Sequence, residues 1–497
     1  MAKQCLPGQL VMLYILSLQG TRMIGLFLAA LAWVGISPIP LLAGVIGTTE
    51  PALNLLVSIL LGFPLGMVYN SHVRQHTRYR NLFFIATGVD IALFNFGLSF
   101  YHNVIPALVI HVSTRVLGAG RLNAILTFVF NMIYLVAGYA VTESEDYDIT
   151  WTMPHCVLTL KLIALSFDMW DGQKMIRGEQ LSENNRKTAL EAPPTLEELL
   201  GFIYFPACFL VGPIFSFRRY KDFICDQFPL DKERDTLQEQ ALKRLAQGIF
   251  YLIAFQIGVS VFNVQYMRSD EWWERSVIYR HIYCGMWAHC ALYKYISCWL
   301  LTEAACIRFG LSYAGPGRWD ACANIRLMRF EGATKFQHYI DSFNCNTNHF
   351  AAEYVYKRLK FLGSRQASQL ATLGFLALWH GVRSGYYMTF FNEFIIIFME
   401  KEVEGMLSST QLYRRAWAGP ARWPLYAFLK MYTIVFMGWS LVPFDLKIFG
   451  KWWPIYQSLY FSGFLIFLPW AFAYKPLLKR ALRNLCFAPC PLPIVSK

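Results

Sequence analysis

Apolar runs that are almost free of charge recur along the whole chain. A helix needs roughly 20 such residues to cross the ~30 Å hydrocarbon core of a bilayer. Backbone polar groups in lipid must be satisfied internally, which a helix does by itself. We therefore predict an all-α polytopic membrane protein with roughly eleven transmembrane helices. The candidate runs are Met23–Thr49, Pro51–Tyr69, Asn81–Tyr101, Val104–Ser113, Leu122–Thr142, Trp151–Phe167, Leu199–Phe217, Leu245–Met267, Ile282–Leu301, Gln366–Val382, Met431–Phe444 and Trp452–Tyr474.

The composition supports a membrane protein and excludes several other classes. Of 497 residues, 56% are apolar and 15% are charged, whereas soluble domains average about 25% charged residues. These values also exclude disorder, coiled coil, collagen and small disulfide scaffolds. The net charge of +13 fits cytosolic loops that face anionic lipid, or an anionic nucleotide-linked substrate, and charge alone does not separate these two. We expect no nucleic-acid partner.

The distribution of charged residues predicts an orientation and a division into parts. The basic loop with Arg74, Arg78 and Arg80 is predicted to be cytosolic. The acidic stretch at 143–148, three crossings later, is then lumenal. We divide the chain into an N-terminal membrane segment (1–50), a main membrane domain (51–474) with its chemistry at about 317–383, and a basic tail (475–497).

Two further patterns bear on this organisation. The amphipathic segment Lys232–Arg244 is predicted to lie on the membrane surface. The twelve cysteines are scattered and form no C-x-x-C pair, so we expect no metal site.

His380 is the most informative single residue. It lies in the uncharged stretch Gln366–Val382, and an ionisable side chain inside a membrane run is costly and therefore a candidate functional residue. Desolvation favours the neutral imidazole, which is the form that a general base needs. The alternative is a core histidine that is hydrogen-bonded to a backbone carbonyl.

Asn344 belongs to a polar run that also contains Asn346 and Asn348. Asparagine in a membrane-associated segment usually bridges helices through its side-chain amide. Three asparagines within five residues also suit a helix cap or a loop. The spacing alone therefore does not assign Asn344 a catalytic role.

Several short motifs recur in a fixed order along the chain. They are Asp148–Cys156, Trp319-Asp320 with Asn324, Ser342–Asn348, Tyr356–Lys360 and Leu378–Gly381. Together these motifs resemble the lysophospholipid branch of the membrane-bound O-acyltransferase family. The resemblance extends from about Pro51 to about Trp470, and the order and spacing of its motifs are more specific than any single one.

The resemblance implies a fold and a reaction. The fold is a ring of tilted helices around a central chamber, in the endoplasmic reticulum membrane. The reaction transfers a fatty acyl group to the sn-2 hydroxyl of a lysophospholipid that arrives from the membrane or lumenal side. The acceptor that the resemblance favours most is lysophosphatidylcholine, and lysophosphatidylserine and lysophosphatidylethanolamine are further acceptors. The transferred acyl chain is expected to be polyunsaturated. Acyl-coenzyme A enters from the cytosol as a co-substrate, no cofactor is permanently bound, and a homodimer is left open.

The resemblance also implies roles for individual residues. His380 corresponds to the essential histidine, and Asn344 to its partner asparagine. Asn344 either orients the imidazole or donates a hydrogen bond to the developing oxyanion. The remaining candidates form two sets. We assign Lys357, Arg358 and Lys360 to the coenzyme A phosphates, with a basic edge at the membrane interface as the alternative. Trp319, Asp320, Asn324 and Trp379 are expected to support the site.

Other functions remain as alternatives. The same fold accepts a sterol, a diacylglycerol or a peptide as acceptor, and a transporter without acyl chemistry is a further alternative. We expect direct transfer without an acyl-enzyme. Cys345, next to Asn344, is the one candidate nucleophile. We expect its thiol to serve in packing rather than in catalysis.

Overall fold

The computed structural model describes residues 38–142 and 149–486, and their regular structure is helical. Within these ranges no β-strand forms, and one isolated bridge joins Gly315 to Arg318. The all-α prediction is therefore confirmed for this part of the chain. Most of the predicted N-terminal segment and the acidic stretch at 143–148 lie outside the described residues.

Five helical segments in the described ranges are long and apolar enough to cross a membrane. They contain the predicted runs that begin at Pro51, Asn81, Val104, Leu122, Leu245 and Met431. The prediction of a multi-pass membrane protein is thus confirmed, whereas the number of about eleven spans stays a prediction. The five segments are Glu50–Val73, Thr77–Leu117, Arg121–Thr142, Arg234–Arg268 and Arg422–Leu446.

The run Leu199–Phe217 is not the single helix that its composition predicted. Its helix ends at Ile203, and helical structure resumes only at Phe217. Pro206 and Pro213 lie in the intervening segment, and proline lacks the N–H that would continue a helix. The segment is nevertheless buried, so its apolar composition reflects packing inside the protein.

Two later runs are also shorter than predicted. Trp452–Tyr474 divides into Phe449–Ser458 and Ser462–Phe467, because Tyr460 and Phe461 adopt left-handed backbone angles. The helix Arg365–His380 has 16 residues, which is roughly 24 Å and less than the hydrocarbon core of a bilayer.

The prediction of a separate surface helix at Lys232–Arg244 is wrong. A continuous helix of 28 residues runs from Arg234 to Val261 and joins the polar segment to the apolar run. No proline or glycine falls within the first two turns to break it. The segment is therefore the first part of a long helix, and one of its polar residues, Arg244, has a buried partner described below.

The described chain divides into two compact units, each of which has its own core. The first unit takes the described part of 1–252 together with 295–325 and 344–363, and the second takes 253–294, 326–343 and the described part of 364–497. The long helices Arg234–Val261 and Val277–Phe309 each contribute to both units.

The first unit is built around a cluster of aromatic rings. Phe84 and Phe205 pack edge to face with 4.8 Å between ring centroids, and Phe205 lies 4.9 Å from Phe309. Such pairs contribute beyond the area that they bury. Its helices are Pro38–Ile46, Glu50–Val68, Arg80–Phe96, Tyr101–Leu117, Arg121–Thr142, Thr152–Ile176, Glu183–Thr188, Leu196–Ile203, Phe217–Ile224 and Cys345–Phe350, with the shared helices and the turns Ala351–Tyr356 and Lys357–Leu362.

The second unit has a core of stacked aromatic rings that also contains buried hydrogen bonds. Trp439 stacks on Tyr456 at 5.0 Å. The Tyr456 hydroxyl donates to the Trp439 carbonyl at 2.8 Å and accepts from the Asn392 amide at 2.8 Å. Its helices are Asp270–Glu274, Leu327–Glu331, Phe336–Ser342, Arg365–His380, Ser384–Leu407, Gln411–Ala418, Arg422–Leu446, Phe449–Ser458, Ser462–Phe467 and Tyr474–Cys486, with the shared helices.

Close packing in the first unit yields a test at Gly88. A Cβ atom at this position would lie 2.0 Å from the Tyr204 carbonyl oxygen. We expect Gly88→Ala to lower the free energy of unfolding by about 1–3 kcal/mol, measured as a lower melting temperature of the purified protein in detergent. The matched control is Gly405→Ala, where no atom lies within 4 Å of the new Cβ. Equal melting temperatures for both variants would contradict the close approach.

Candidate active site

His380 is the last residue of the helix Arg365–His380, in the second unit. The next residue, Gly381, has φ 143°, a conformation that residues with a side chain rarely adopt. Its N–H donates to the carbonyl groups of Ala377 and Leu378 at 3.2 Å each, which closes the helix end. The Trp-His-Gly element therefore positions the histidine at a defined helix terminus.

The His380 imidazole lies among aromatic rings of its own unit. Its ring centroid is 5.8 Å from Tyr386, 5.5 Å from Phe390, 4.9 Å from Phe444 and 4.5 Å from Trp379, which is buried. The side chain is half-buried, and among the described residues of the second unit the ring nitrogens have no hydrogen-bond partner. Within this unit, His380 is therefore not a core histidine that is hydrogen-bonded to a backbone carbonyl.

Asn344 lies in the first unit, where it precedes the short helix Cys345–Phe350. Its backbone has φ 51° and ψ 45°, the left-handed region that asparagine tolerates better than most residues. The half-buried side chain accepts a hydrogen bond at Oδ1 from Nδ2 of Asn324, at 3.1 Å. The expected neighbours Asn324 and Asn344 are therefore in direct contact.

Asn324 is held from several directions at once. It is buried, and its side-chain Oδ1 accepts from the backbone N–H of Asn346 at 2.9 Å. Its own N–H donates to Oε1 of Glu303 at 2.6 Å, and its carbonyl accepts from the N–H of Cys345 at 3.0 Å. Glu303 in turn forms an ion pair with Arg244, at 3.4 Å.

Trp319 and Asp320 do not join this network. The buried Trp319 donates from Nε1 to the Thr236 hydroxyl at 3.2 Å. Asp320, which we expected to support the site, is exposed and pairs with Arg318 at 3.4 Å. The reason is its place in a tight turn, where its carbonyl accepts from the N–H of Ala323.

The three basic candidates lie on one helical turn, Lys357–Leu362, with different partners. Arg358 makes a two-pronged contact with the buried carboxylate of Asp171, through Nη1–Oδ1 at 3.0 Å and a second bond from Nη2. Lys357 donates to Glu353 at 2.5 Å. Lys360 is exposed and has no ion-pair partner among the described residues of its unit.

The charge state of the Glu353 carboxylate determines how much of the positive charge of this turn is neutralised. Burial raises its pKa, but the hydrogen bonds from Lys357 and Asn184 outweigh burial, and its pKa lies below the ordinary value. A carboxylate with a lowered pKa stays ionised at neutral pH. Lys357 therefore keeps a charged partner, and part of its own charge is neutralised within the protein.

Sequence reasoning missed Glu303, Arg244 and Asp171 as supporting residues. A signal was present, because Glu303 is the only acidic residue between Glu274 and Asp320 and directly follows an apolar run. A single carboxylate in apolar surroundings needs hydrogen-bond donors inside the protein. Its donors here are backbone N–H groups, and a sequence pattern does not reveal which backbone groups lie nearby.

Comparisons with known proteins agree with the motifs. A model of the membrane-bound O-acyltransferase family matches residues 136–442. Three relatives carry the name lysophospholipid acyltransferase 5. The Mus musculus protein is 40% identical over 449 residues, 88% of this chain and 91% of the relative. The Drosophila melanogaster protein is 38% identical over 453 residues (87% and 88%). The Homo sapiens protein is 39% identical over 436 residues (86% and 89%). The chain belongs to the membrane-bound O-acyltransferase family.

Proposed function

We propose that this protein transfers a fatty acyl group from acyl-coenzyme A to the sn-2 hydroxyl of a lysophospholipid. The observation that carries the proposal is the similarity, over most of both chains, to relatives named lysophospholipid acyltransferase 5. Lysophosphatidylcholine is the acceptor that we propose first, with lysophosphatidylserine and lysophosphatidylethanolamine as further acceptors. The endoplasmic reticulum membrane is the proposed location.

His380 is the proposed general base. A lipid hydroxyl is a poor nucleophile and must lose its proton as it attacks the thioester carbonyl carbon. An unprotonated imidazole nitrogen takes that proton while the new C–O bond forms. The C–S bond then breaks, and the coenzyme A sulfur leaves and takes up the proton from the imidazolium. The aromatic surroundings of the ring and the lack of a hydrogen-bond partner in its unit support a nitrogen that is available for this transfer.

Asn344 is the proposed second catalytic residue, and no acyl-enzyme is needed. Direct transfer within a complex of both substrates requires a base for the hydroxyl and a donor for the carbonyl oxygen, but no protein nucleophile. The fixed side chain of Asn344 supports such a role. Lys360, which is exposed, is the basic residue that we assign first to the coenzyme A phosphates, with Lys357 beside it.

Replacing the two proposed catalytic residues tests this function. We expect His380→Ala to lower kcat by about 10²–10⁴-fold and Asn344→Ala to lower it by about 10²–10³-fold. The measurement is phospholipid product from labelled acyl-coenzyme A and lysophosphatidylcholine, with purified proteins of matched melting temperature. The control is His76→Ala, an exposed loop histidine, which should retain wild-type activity. Full activity of His380→Ala would contradict the assignment of the base.

The basic turn yields a separate test, because its members differ in their partners. Lys360→Ala should raise the KM for acyl-coenzyme A by roughly twofold to fivefold, with a smaller change in kcat, because one exposed charge contributes modestly. Lys360→Arg should restore the KM. An unchanged KM for Lys360→Ala would show that the coenzyme A phosphates bind elsewhere.

Asp171→Asn tests whether Arg358 anchors the same turn instead. Loss of the carboxylate leaves the guanidinium, whose side chain is 18% exposed, without its charged partner. Breaking a buried ion pair costs about 3–5 kcal/mol, so we expect a clearly lower melting temperature. The control is Asp222→Asn, which breaks the exposed pair with Arg218 and should cost less than about 0.5 kcal/mol. Equal melting temperatures for the two variants would argue against the anchoring role.

A further inference from the structure

The orientation of the Asn344 amide follows from a backbone group two residues away. The Asn346 N–H can only donate, so the side-chain atom of Asn324 that receives it, at 2.9 Å, must be Oδ1. The other end of the same amide is then Nδ2, which can only donate. Its partner on Asn344, at 3.1 Å, must therefore be the acceptor Oδ1. This sequence of donors and acceptors assigns both amides from hydrogen bonding alone.

The assignment leaves one polar group of Asn344 without a partner. Its Oδ1 is engaged by Asn324, whereas Nδ2 has no hydrogen-bond partner among the described residues of the first unit. The side chain is only half-buried, and Nδ2 keeps access to water or to a ligand. The amide is thus oriented so that it presents a donor.

Glu303 holds Asn324 in this orientation. Its Oε1 accepts from the backbone N–H groups of both Asn324 and Ile325, at 2.6 and 3.2 Å. The Glu303 side chain is 2% exposed, and Arg244 supplies the compensating charge at 3.4 Å. A buried carboxylate that accepts two backbone N–H groups and faces a guanidinium charge holds the backbone at Asn324 in place. We call the series Arg244, Glu303, Asn324 and Asn344 the amide relay.

We propose that the amide relay fixes Asn344 as a hydrogen-bond donor to the thioester carbonyl oxygen, with Glu303 and Asn324 as positioning residues. This inference rests on the proposed function. When the lipid hydroxyl attacks, that oxygen gains negative charge, and a donor already in place stabilises it without reorganisation. Of the two roles that the sequence left open for Asn344, the relay favours donation to the oxyanion, because Oδ1 already accepts from Asn324 whereas Nδ2 is presented as a donor.

Asn324→Asp tests the relay while preserving the size of the side chain. An aspartate still accepts from the Asn346 N–H, but it can no longer donate to Asn344. Its second oxygen instead recruits Nδ2 of Asn344, which reverses that amide. We expect kcat to fall by roughly 10²-fold, which is the effect of losing one oxyanion donor, with the KM for both substrates little changed. Asn185→Asp, outside the relay, controls for the substitution type and should retain wild-type kcat.

A double-mutant cycle separates positioning from general damage. If Asn324 acts through Asn344, adding Asn324→Asp to Asn344→Ala should lower kcat no further, because the donor is already lost. If the two losses multiply, the positioning role is overturned. A kcat of Asn324→Asp equal to that of the wild type would overturn it as well.

Two further variants keep the proposal testable if Asn324→Asp does not fold. Asn344→Asp, at a half-buried position, removes the donor and should lower kcat as much as Asn344→Ala does. Wild-type kcat in this variant would overturn the inference. Glu303→Gln can still accept from the two backbone N–H groups and should retain more of kcat than Glu303→Ala does. Equal losses for both Glu303 variants would contradict the anchoring role of Glu303.

Failure of the proposed function would look different from failure of the relay. If wild-type protein transfers the acyl group to a sterol or a diacylglycerol and not to a lysophospholipid, the proposed acceptor is wrong. The same cycle is then measured with the acceptor that is used, since the relay concerns the donor thioester. An active wild type whose Asn324→Asp variant is equally active contradicts the relay alone.

Discussion

A carboxylate that leaves water must find donors inside the protein, and this requirement organises the first unit. Glu303 collects the backbone N–H groups at Asn324 and Ile325. Asp168, also buried, accepts from the hydroxyl groups of Thr188 and Tyr354, at 2.7 Å each. Asp171 holds Arg358. Through these contacts, three buried acids fix the polar segments that a helical membrane protein would otherwise leave unsupported.

The two proposed catalytic residues have opposite surroundings, each of which suits its task. His380 lies among aromatic rings of the second unit, where a neutral imidazole is favoured and can accept a proton. Asn344 belongs to a polar series in the first unit that ends at Arg244. A donor to an oxyanion must be in place before charge develops, and a series of hydrogen bonds that ends in an ion pair provides that order.

The sequence predicted the class of fold and the identity of the main candidates. Apolar runs such as Leu122–Thr142 became long helices, because composition and length decide this directly. Leu199–Phe217 did not, since a buried irregular segment is as apolar as a span. The sequence pattern also did not predict which residues far apart in the chain contact each other. Glu303 meets Asn324 across 21 positions of the chain, and Arg358 meets Asp171 across 187.

The central claim is lysophospholipid acyl transfer, and a competition between acceptors tests it most directly. Purified wild-type protein would receive one labelled polyunsaturated acyl-coenzyme A with equal amounts of lysophosphatidylcholine, diacylglycerol and cholesterol. The position of the label in the products would then be determined by mass spectrometry. We predict that the label appears at the sn-2 position of phosphatidylcholine. Label in triacylglycerol or sterol ester, or no transfer by well-folded protein, would contradict the account.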